Sequence, residues 1–414
     1  MNYIGSKHRL LGVIEGLLDA AGVPPNGVAL DLFAGTGAVA RRFKARGHTV
    51  YANDWQRYAY CTLVARVGIS EWLPFAGLVS PAPSVARVSA SGFLPHGSWL
   101  LTPEPDLAAR DSGPGARAID SAAIGASAAA LTARRSPAGV SPAMPTDAQA
   151  GARHVLDFLA ALPGLTGSFF ETYCEGGAGG RCYFSRANGL RIQAIRDRIE
   201  AWWRAQVITD PERDWLVACL LEAADGVANT ASVYGAHLKQ LKATALRPLS
   251  LRALDPAPGT GRVFCEDGAA LVSRLTEPLR LVYLDPPYNV RQYSANYHIL
   301  ETLARWDLNQ FVPRGATGLR PEHELRSEFC RRSTVRAAFR RLLSELRAEW
   351  LLFSYNDEGL IGRDELVALI EEQCDGVRVI EQQYPRFRAD LDHSRRVYRR
   401  DATVEYLILG RPRL

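Results

Sequence analysis

Asp285, Pro286, Pro287 and Tyr288 follow one another directly after the apolar run Leu281-Val282-Tyr283-Leu284. A carboxylate, a carbonyl held by tandem prolines and an aromatic ring form a set suited to one kind of chemistry. An exocyclic amine on a nucleobase is a weak nucleophile because its lone pair is delocalised into the ring. A carboxylate and a fixed backbone carbonyl can accept its two N–H hydrogens and draw the nitrogen toward an attacking geometry. A neighbouring ring can stack on a base swung out of a duplex, contributing about 1–3 kcal/mol against an unstacking cost of a few kcal/mol.

Such groups need a rigid platform. The run before Asp285 predicts a buried strand, and two prolines then forbid further ladder pairing and an immediate helix, so the set lies at the strand's exposed tip. A second platform lies near the start of the chain. Val28 to Phe33 reads as a strand, Ala34-Gly35-Thr36-Gly37 as a glycine turn and Ala38 to Lys44 as a helix. Glycines let a backbone approach a ligand closely, and a helix start offers unpaired N–H donors. Gly47 to Asp54 predicts another strand ending in an acid, near the offset of roughly twenty residues at which a carboxylate meets ribose hydroxyls. Asp31 and Asp54 at neighbouring strand tips would repel a phosphate-rich cofactor. S-adenosylmethionine has an amino group and a sulfonium and no phosphate, so electrostatics favours it.

Arg262 to Asp267 reads as a third acid-ended strand, with Ala269 to Leu275 helical after it. Further helices are predicted at Leu10–Leu18, His154–Leu162, Gly189–Ala205, Asp210–Val227, Ala231–Lys242, His298–Trp306, Val335–Leu346 and Arg363–Gln373, and strands at Trp350–Tyr355, Gly376–Tyr384 and Thr403–Leu409. Phe169 to Phe184 reads as a Gly-rich aromatic loop. Residues 77–151 are rich in Ala, Ser, Pro and Gly with no lasting apolar period, which predicts a largely disordered insert, Ala122–Ala130 being its one candidate helix.

At 414 residues and 47% hydrophobic content the chain can bury a full core, so a disordered or fibrous class is excluded. Its seven cysteines form no Cys-x-x-Cys pair, no secretory signal begins it and no apolar run approaches a membrane span. A reduced, cytoplasmic protein without membrane insertion is expected. The formal charge of +5 permits a polyanionic partner, and the placement of basic residues says more. Lysine occurs at only four positions, two of which, Lys239 and Lys242, fall on the predicted helix beside Asn229, Thr230, Tyr234 and His237. Arg291 and Tyr293 lie in the polar loop after the Pro-Pro pair. Arg386, Arg388, Arg395 and Arg396 cluster between the last two predicted strands, suited to phosphate contacts.

In the order of these motifs the chain resembles the Dam-like (class alpha) adenine-specific DNA methyltransferases, over roughly residues 1–75 and 155–414. The resemblance implies an α/β fold, a doubly wound seven-stranded Rossmann-like sheet with a helical target-recognition domain inserted between its second and third strands. It divides the chain into 1–76 with the cofactor motifs, the insert 77–151, recognition helices in 152–258 and the remaining catalytic part in 259–414. Carried over by position, it implies that Tyr3 and Lys7 belong to an N-terminal cofactor motif, that Asp31, Phe33, Gly35 and Gly37 form the glycine loop, and that Asp54 meets the ribose and Asp267 the cofactor adenine. Asp285, Pro286, Pro287 and Tyr288 would hold the target base. Tyr3 stands where the family often has tryptophan, and the insert has no counterpart.

The expected activity is methyl transfer from S-adenosylmethionine to N6 of adenine in double-stranded DNA at a specific sequence, with base flipping and without a metal, and with a cognate restriction enzyme as a candidate partner. Two alternatives remain at this point: methylation of N4-cytosine or of an RNA base amine, and a DNA-binding protein with a vestigial cofactor pocket.

Overall fold

The computed structural model describes residues 7–78, 147–231, 233–235, 237–290, 292–321, 326–385 and 402–413. A 3-10 turn, Lys7–Leu10, leads into α1 (Leu11–Ala20). The first half of the sheet then forms from β1 (Val28–Asp31), α2 (Ala38–Ala45), β2 (Thr49–Asn53) and α3 (Arg57–Leu63). The chain leaves the sheet for four helices, α4 (Asp147–Ala161), α5 (Ser168–Tyr173), α6 (Arg186–Arg204) and α7 (Asp210–Gly226). It returns as β3 (Gly261–Phe264), α8 (Gly268–Arg274) and β4 (Leu279–Leu284). Two short helices, α9 (Tyr293–Asn296) and α10 (His298–Arg305), follow, then α11 (Val335–Glu345), β5 (Ala348–Asn356), α12 (Arg363–Glu371), β6 (Cys374–Pro385) and β7 (Ala402–Pro412).

The seven strands form one sheet in the order β3-β2-β1-β4-β5-β7-β6. All neighbours are parallel except β7, which runs antiparallel to both β5 and β6. Successive strands step outward from β1 through β2 to β3, and the chain then crosses to the other side of β1 for β4. The switch point therefore falls between β1 and β4, where a crevice opens beyond the carboxyl ends of parallel strands.

Alternation within the strands assigns each face a partner. On one side Ala29, Leu281, Tyr283, Leu407 and Leu409 pack with Ile14 and Leu18 of α1 and Phe43 of α2. On the other Leu30, Val282, Phe353 and Ile408 pack with Leu271 of α8, Phe339 of α11 and Leu369 of α12. A third core joins α3 and α10 to the helical lobe of α4, α6 and α7, around Trp202 and Trp215.

Several expectations change. No helix occupies 231–242 among the described residues. Asn229 is fully buried, donating from Nδ2 to the carbonyls of Cys182 and Leu238 while its Oδ1 accepts from the Lys242 amide, so its side chain supplies the bonds a helix would have used. The stretch 169–184 begins as helix α5 rather than loop, and α4 starts at Asp147, inside the stretch expected to lack structure. Residues 79–146 of that insert, with Ala122–Ala130, lie outside the described residues.

Arg196, on α6, is wholly buried. Its guanidinium donates to the carbonyls of Leu303 and Ala304 at the end of α10 and to Glu200, and burial pushes its pKa down to about 10.

Candidate active site

Three strand tips meet at the switch point. The glycine turn after β1 holds Gly35 at φ +53° and Gly37 at φ +80°, conformations costly for residues with a Cβ. A Cβ on Gly37 would also come within 2.8 Å of Leu63 Cδ2, so the turn is closed by the packing of α3. The Gly35 amide donates to Asp54 Oδ2 at 2.9 Å, and the Gln56 amide to Asp54 Oδ1 at 2.8 Å. Each Asp54 oxygen keeps acceptor capacity for a further donor. Burial pushes its pKa up to about 6 against the opposing effect of those two amides.

Asn53, a residue the sequence reading passed over, locks the tips together. Its Nδ2 donates to the carbonyls of Leu32 and Glu266, and its Oδ1 accepts from the Glu266 amide. An amide at the end of an otherwise apolar strand was the available signal. Asp267 caps α8, its Oδ1 accepting from the amides of Ala269 and Ala270.

Asp31, Phe33, Gly35, Tyr283 and Asp285 line one hollow together with Lys7. An adjoining pocket is lined by Asp54, Asp267, Pro287, Gln292, Tyr293 and Phe329, and Phe33 and Asp285 face both. The first strand's glycine turn and the Pro-Pro tip thus open on the same space. Asp31 is buried, and its Oδ1 has no hydrogen-bond partner. Burial, and next the charge of Asp285, push its pKa well up.

The Lys7 ammonium is buried, 3.2 Å from Asp285 Oδ1, and donates to Glu405 Oε2, also at 3.2 Å. Burial alone would push it down, but Asp285, Glu405 and Tyr288 outweigh that and its pKa is raised. Burial pushes the Asp285 carboxyl up to about 6, with Lys7 opposing and Glu405 reinforcing. Tyr288 is half-buried, edge-on to Tyr355, with Lys7 5.8 Å from its ring centre.

The family model for D12 class N6 adenine-specific DNA methyltransferases matches residues 3–68 and 166–367. The chain belongs to that family. As a member it transfers a methyl group to N6 of adenine in DNA, which sets aside the N4-cytosine and RNA-base readings. It is similar to the Type II methyltransferase M.NlaIII of Neisseria lactamica, 34% identical over 98% of both chains. The Type II methyltransferase M.CviAII of Paramecium bursaria Chlorella virus 1 is 36% identical over 54% of this chain and 65% of its own. The Type II methyltransferase M.FokI of Planomicrobium okeanokoites is 27% identical over 94% of this chain, which spans 50% of that relative. No solved structure gives a significant match. Among the described residues no helix is long and apolar enough to cross a membrane.

Of the methyltransferase motif residues, Lys7, Asp31, Phe33, Gly35, Asp54, Asp267, Asp285 and Pro287 line the two pockets, whereas Gly37, Pro286 and Tyr288 line neither. Tyr3 lies outside the described residues. Among the residues expected at DNA, Tyr293 lines the pocket beside Pro287, and Lys239 is exposed. Lys242 is half-buried and donates from Nζ to the Thr230 carbonyl at 2.7 Å. Tyr234 is buried and donates to Asp225, so it offers no stacking face to a partner. Arg291, Arg386, Arg388, Arg395 and Arg396 lie outside the described residues.

Proposed function

We propose that S-adenosylmethionine is the methyl donor and that an adenine flipped out of a specific double-stranded DNA sequence is presented to it by Asp285, Pro286, Pro287 and Tyr288. The observation that carries the reading is that Asp31, Gly35 and Asp285 line one hollow at the switch point. The residues suit this cofactor. The unpartnered Oδ1 of Asp31 is a buried acceptor for a cationic amino group, Asp54 offers two oxygens to ribose hydroxyls, and Phe33 and Phe329 give apolar walls to an adenine that Asp267 can meet at its edge. Lys7 borders it from the N-terminal motif.

When bound, the cofactor would supply an electrophilic methyl carbon on a sulfonium, and the sulfur would keep the electron pair of that bond as the N6 lone pair took up the methyl group. Asp285 and the Pro286 carbonyl accept the two N6 hydrogens and hold the lone pair in line. The nitrogen becomes positive as it bonds, and the Asp285 carboxylate stabilises that charge until one N6 proton passes to solvent water. Tyr288 stacks on the flipped base, and Tyr293 closes the pocket wall.

Residues 152–258 would form the target-recognition domain, between catalytic parts 1–76 and 259–414. Lys239, Lys242, Arg291 and the arginines Arg386, Arg388, Arg395 and Arg396 would contribute phosphate contacts. The names of the Type II relatives favour a cognate restriction enzyme as a partner, and the cytoplasm as the compartment where both meet DNA. Calorimetric titration of the full chain with S-adenosylmethionine tests the reading. Binding that is strongly weakened by Asp31→Asn is expected. Absence of binding to the unaltered chain would instead restore a DNA-binding protein with a vestigial pocket.

A further inference from the structure

We propose that Glu405 is a positioning residue for methyl transfer: from β7 it holds the Lys7 ammonium and keeps the group of charges around Asp285 net negative. The inference rests on the reading of Asp285 as acceptor of the target amine. Glu405 lies outside the residues matched by the family model, so membership of the family assigns it nothing.

Leu407 and Leu409 face the layer of α1, and Glu405, two residues before Leu407, points the same way. It is a buried carboxylate in a strand paired on both sides, opposite Asn356 of β5 and Gln382 of β6. A charge in that position is costly unless it is paired, and its partner is Lys7. Lys7 comes from the turn that opens α1, so Glu405 fixes the N-terminal segment against the site.

The charge balance gives the contact a chemical consequence. Asp285 and Lys7 alone would form a neutral pair, and the buried ammonium 3.2 Å from Asp285 would oppose positive charge developing on N6. Glu405 adds a second negative charge on the far side of the same ammonium. With both carboxylates ionised the three groups sum to one negative charge, directed at the place where the amine becomes positive. The other titratable groups facing Asp285 are Asp31 from β1, Tyr283 from β4 and Tyr288 beyond the prolines. None of these supplies a cation to replace Lys7.

Removing the Glu405 charge while keeping its shape lowers the pKa of Asp285, because the carboxylate loses the like charge of Glu405. Glu405→Gln in the full chain is therefore expected to lower kcat on duplex DNA by about ten- to a hundredfold and to shift the acid limb of the pH–rate profile to lower pH. Cofactor binding by calorimetry should stay within about threefold, and Glu405→Asp should recover most of the rate. An unchanged kcat in Glu405→Gln overturns the proposal. So does equal loss in both variants with the acid limb unmoved, which is the behaviour of a scaffold residue. Asp285→Ala run beside them separates the two levels: retained turnover there removes the reading of Asp285 and this proposal with it, whereas a dead Asp285→Ala beside a normal Glu405→Gln removes the role of Glu405 alone.

Discussion

The amide of Gly35 donates to the carboxylate of Asp54 at 2.9 Å, so the glycine turn and the tip of the second strand are a single bonded unit. Asp54→Ala removes an acceptor for two buried amides as well as the proposed ribose contact. Cofactor affinity measured by calorimetry is expected to fall by about ten- to a hundredfold. Asp54→Asn, which keeps one acceptor oxygen, should lose less. Equal binding by Asp54→Ala and the unaltered chain would remove Asp54 from the cofactor site.

The turn itself can be tested through Gly37. Its φ of +80° and the 2.8 Å approach of Leu63 Cδ2 to an added Cβ make Gly37→Ala both strained and overpacked. A loss of about 1–3 kcal/mol in denaturant unfolding is expected, with weaker cofactor binding. An unchanged midpoint would mean that the turn relaxes freely.

Acidity provides a third test. Asp54 and Asp285 have pKa values pushed up to about 6 from 3.8, chiefly by burial. The folded chain then binds more protons than the unfolded one between these values, so this contribution to stability is present below about pH 4 and is lost as pH rises through 6. Unfolding midpoints of the cofactor-free chain should fall over that window from these two groups, and less steeply in Asp54→Asn. A cationic ligand favours the ionised carboxylates, so cofactor binding near pH 6 should release protons, read as a dependence of calorimetric heat on buffer ionisation enthalpy. Proton uptake would contradict the assignment.

Two basic residues of the helical lobe should behave in opposite ways. Arg196, wholly buried on the carbonyls of Leu303 and Ala304, holds α6 against α10, and Arg196→Ala should cost about 3–5 kcal/mol of stability. Lys239 is exposed, and Lys239→Ala should leave stability unchanged while lowering the salt slope of DNA binding by about one. The reverse pattern would place the DNA surface elsewhere.

The contrast between these two residues marks what a local stretch of sequence carries and what it does not. Parallel strands buried on both faces appear as unbroken apolar runs, so β1, β2 and β4 and the acids at or just beyond their tips, Asp31, Asp54 and Asp285, are legible from order and spacing. Burial of Arg196 depends on carbonyls more than a hundred residues away and leaves no local trace. The same is true of Asn229, whose side-chain bonds replaced the helix expected at 231–242. Glu405 had a signal, an acid inside the apolar closing strand, but its meaning required knowing that Lys7 lies against it.

On the proposed function, Asp285 works on the target base in a hollow where the cofactor binds independently of it. The direct measurement is single-turnover methyl transfer to duplex DNA by Asp285→Ala, beside calorimetry with S-adenosylmethionine. Transfer should fall by at least about a thousandfold while cofactor affinity remains within about tenfold. Turnover near that of the unaltered chain would contradict it.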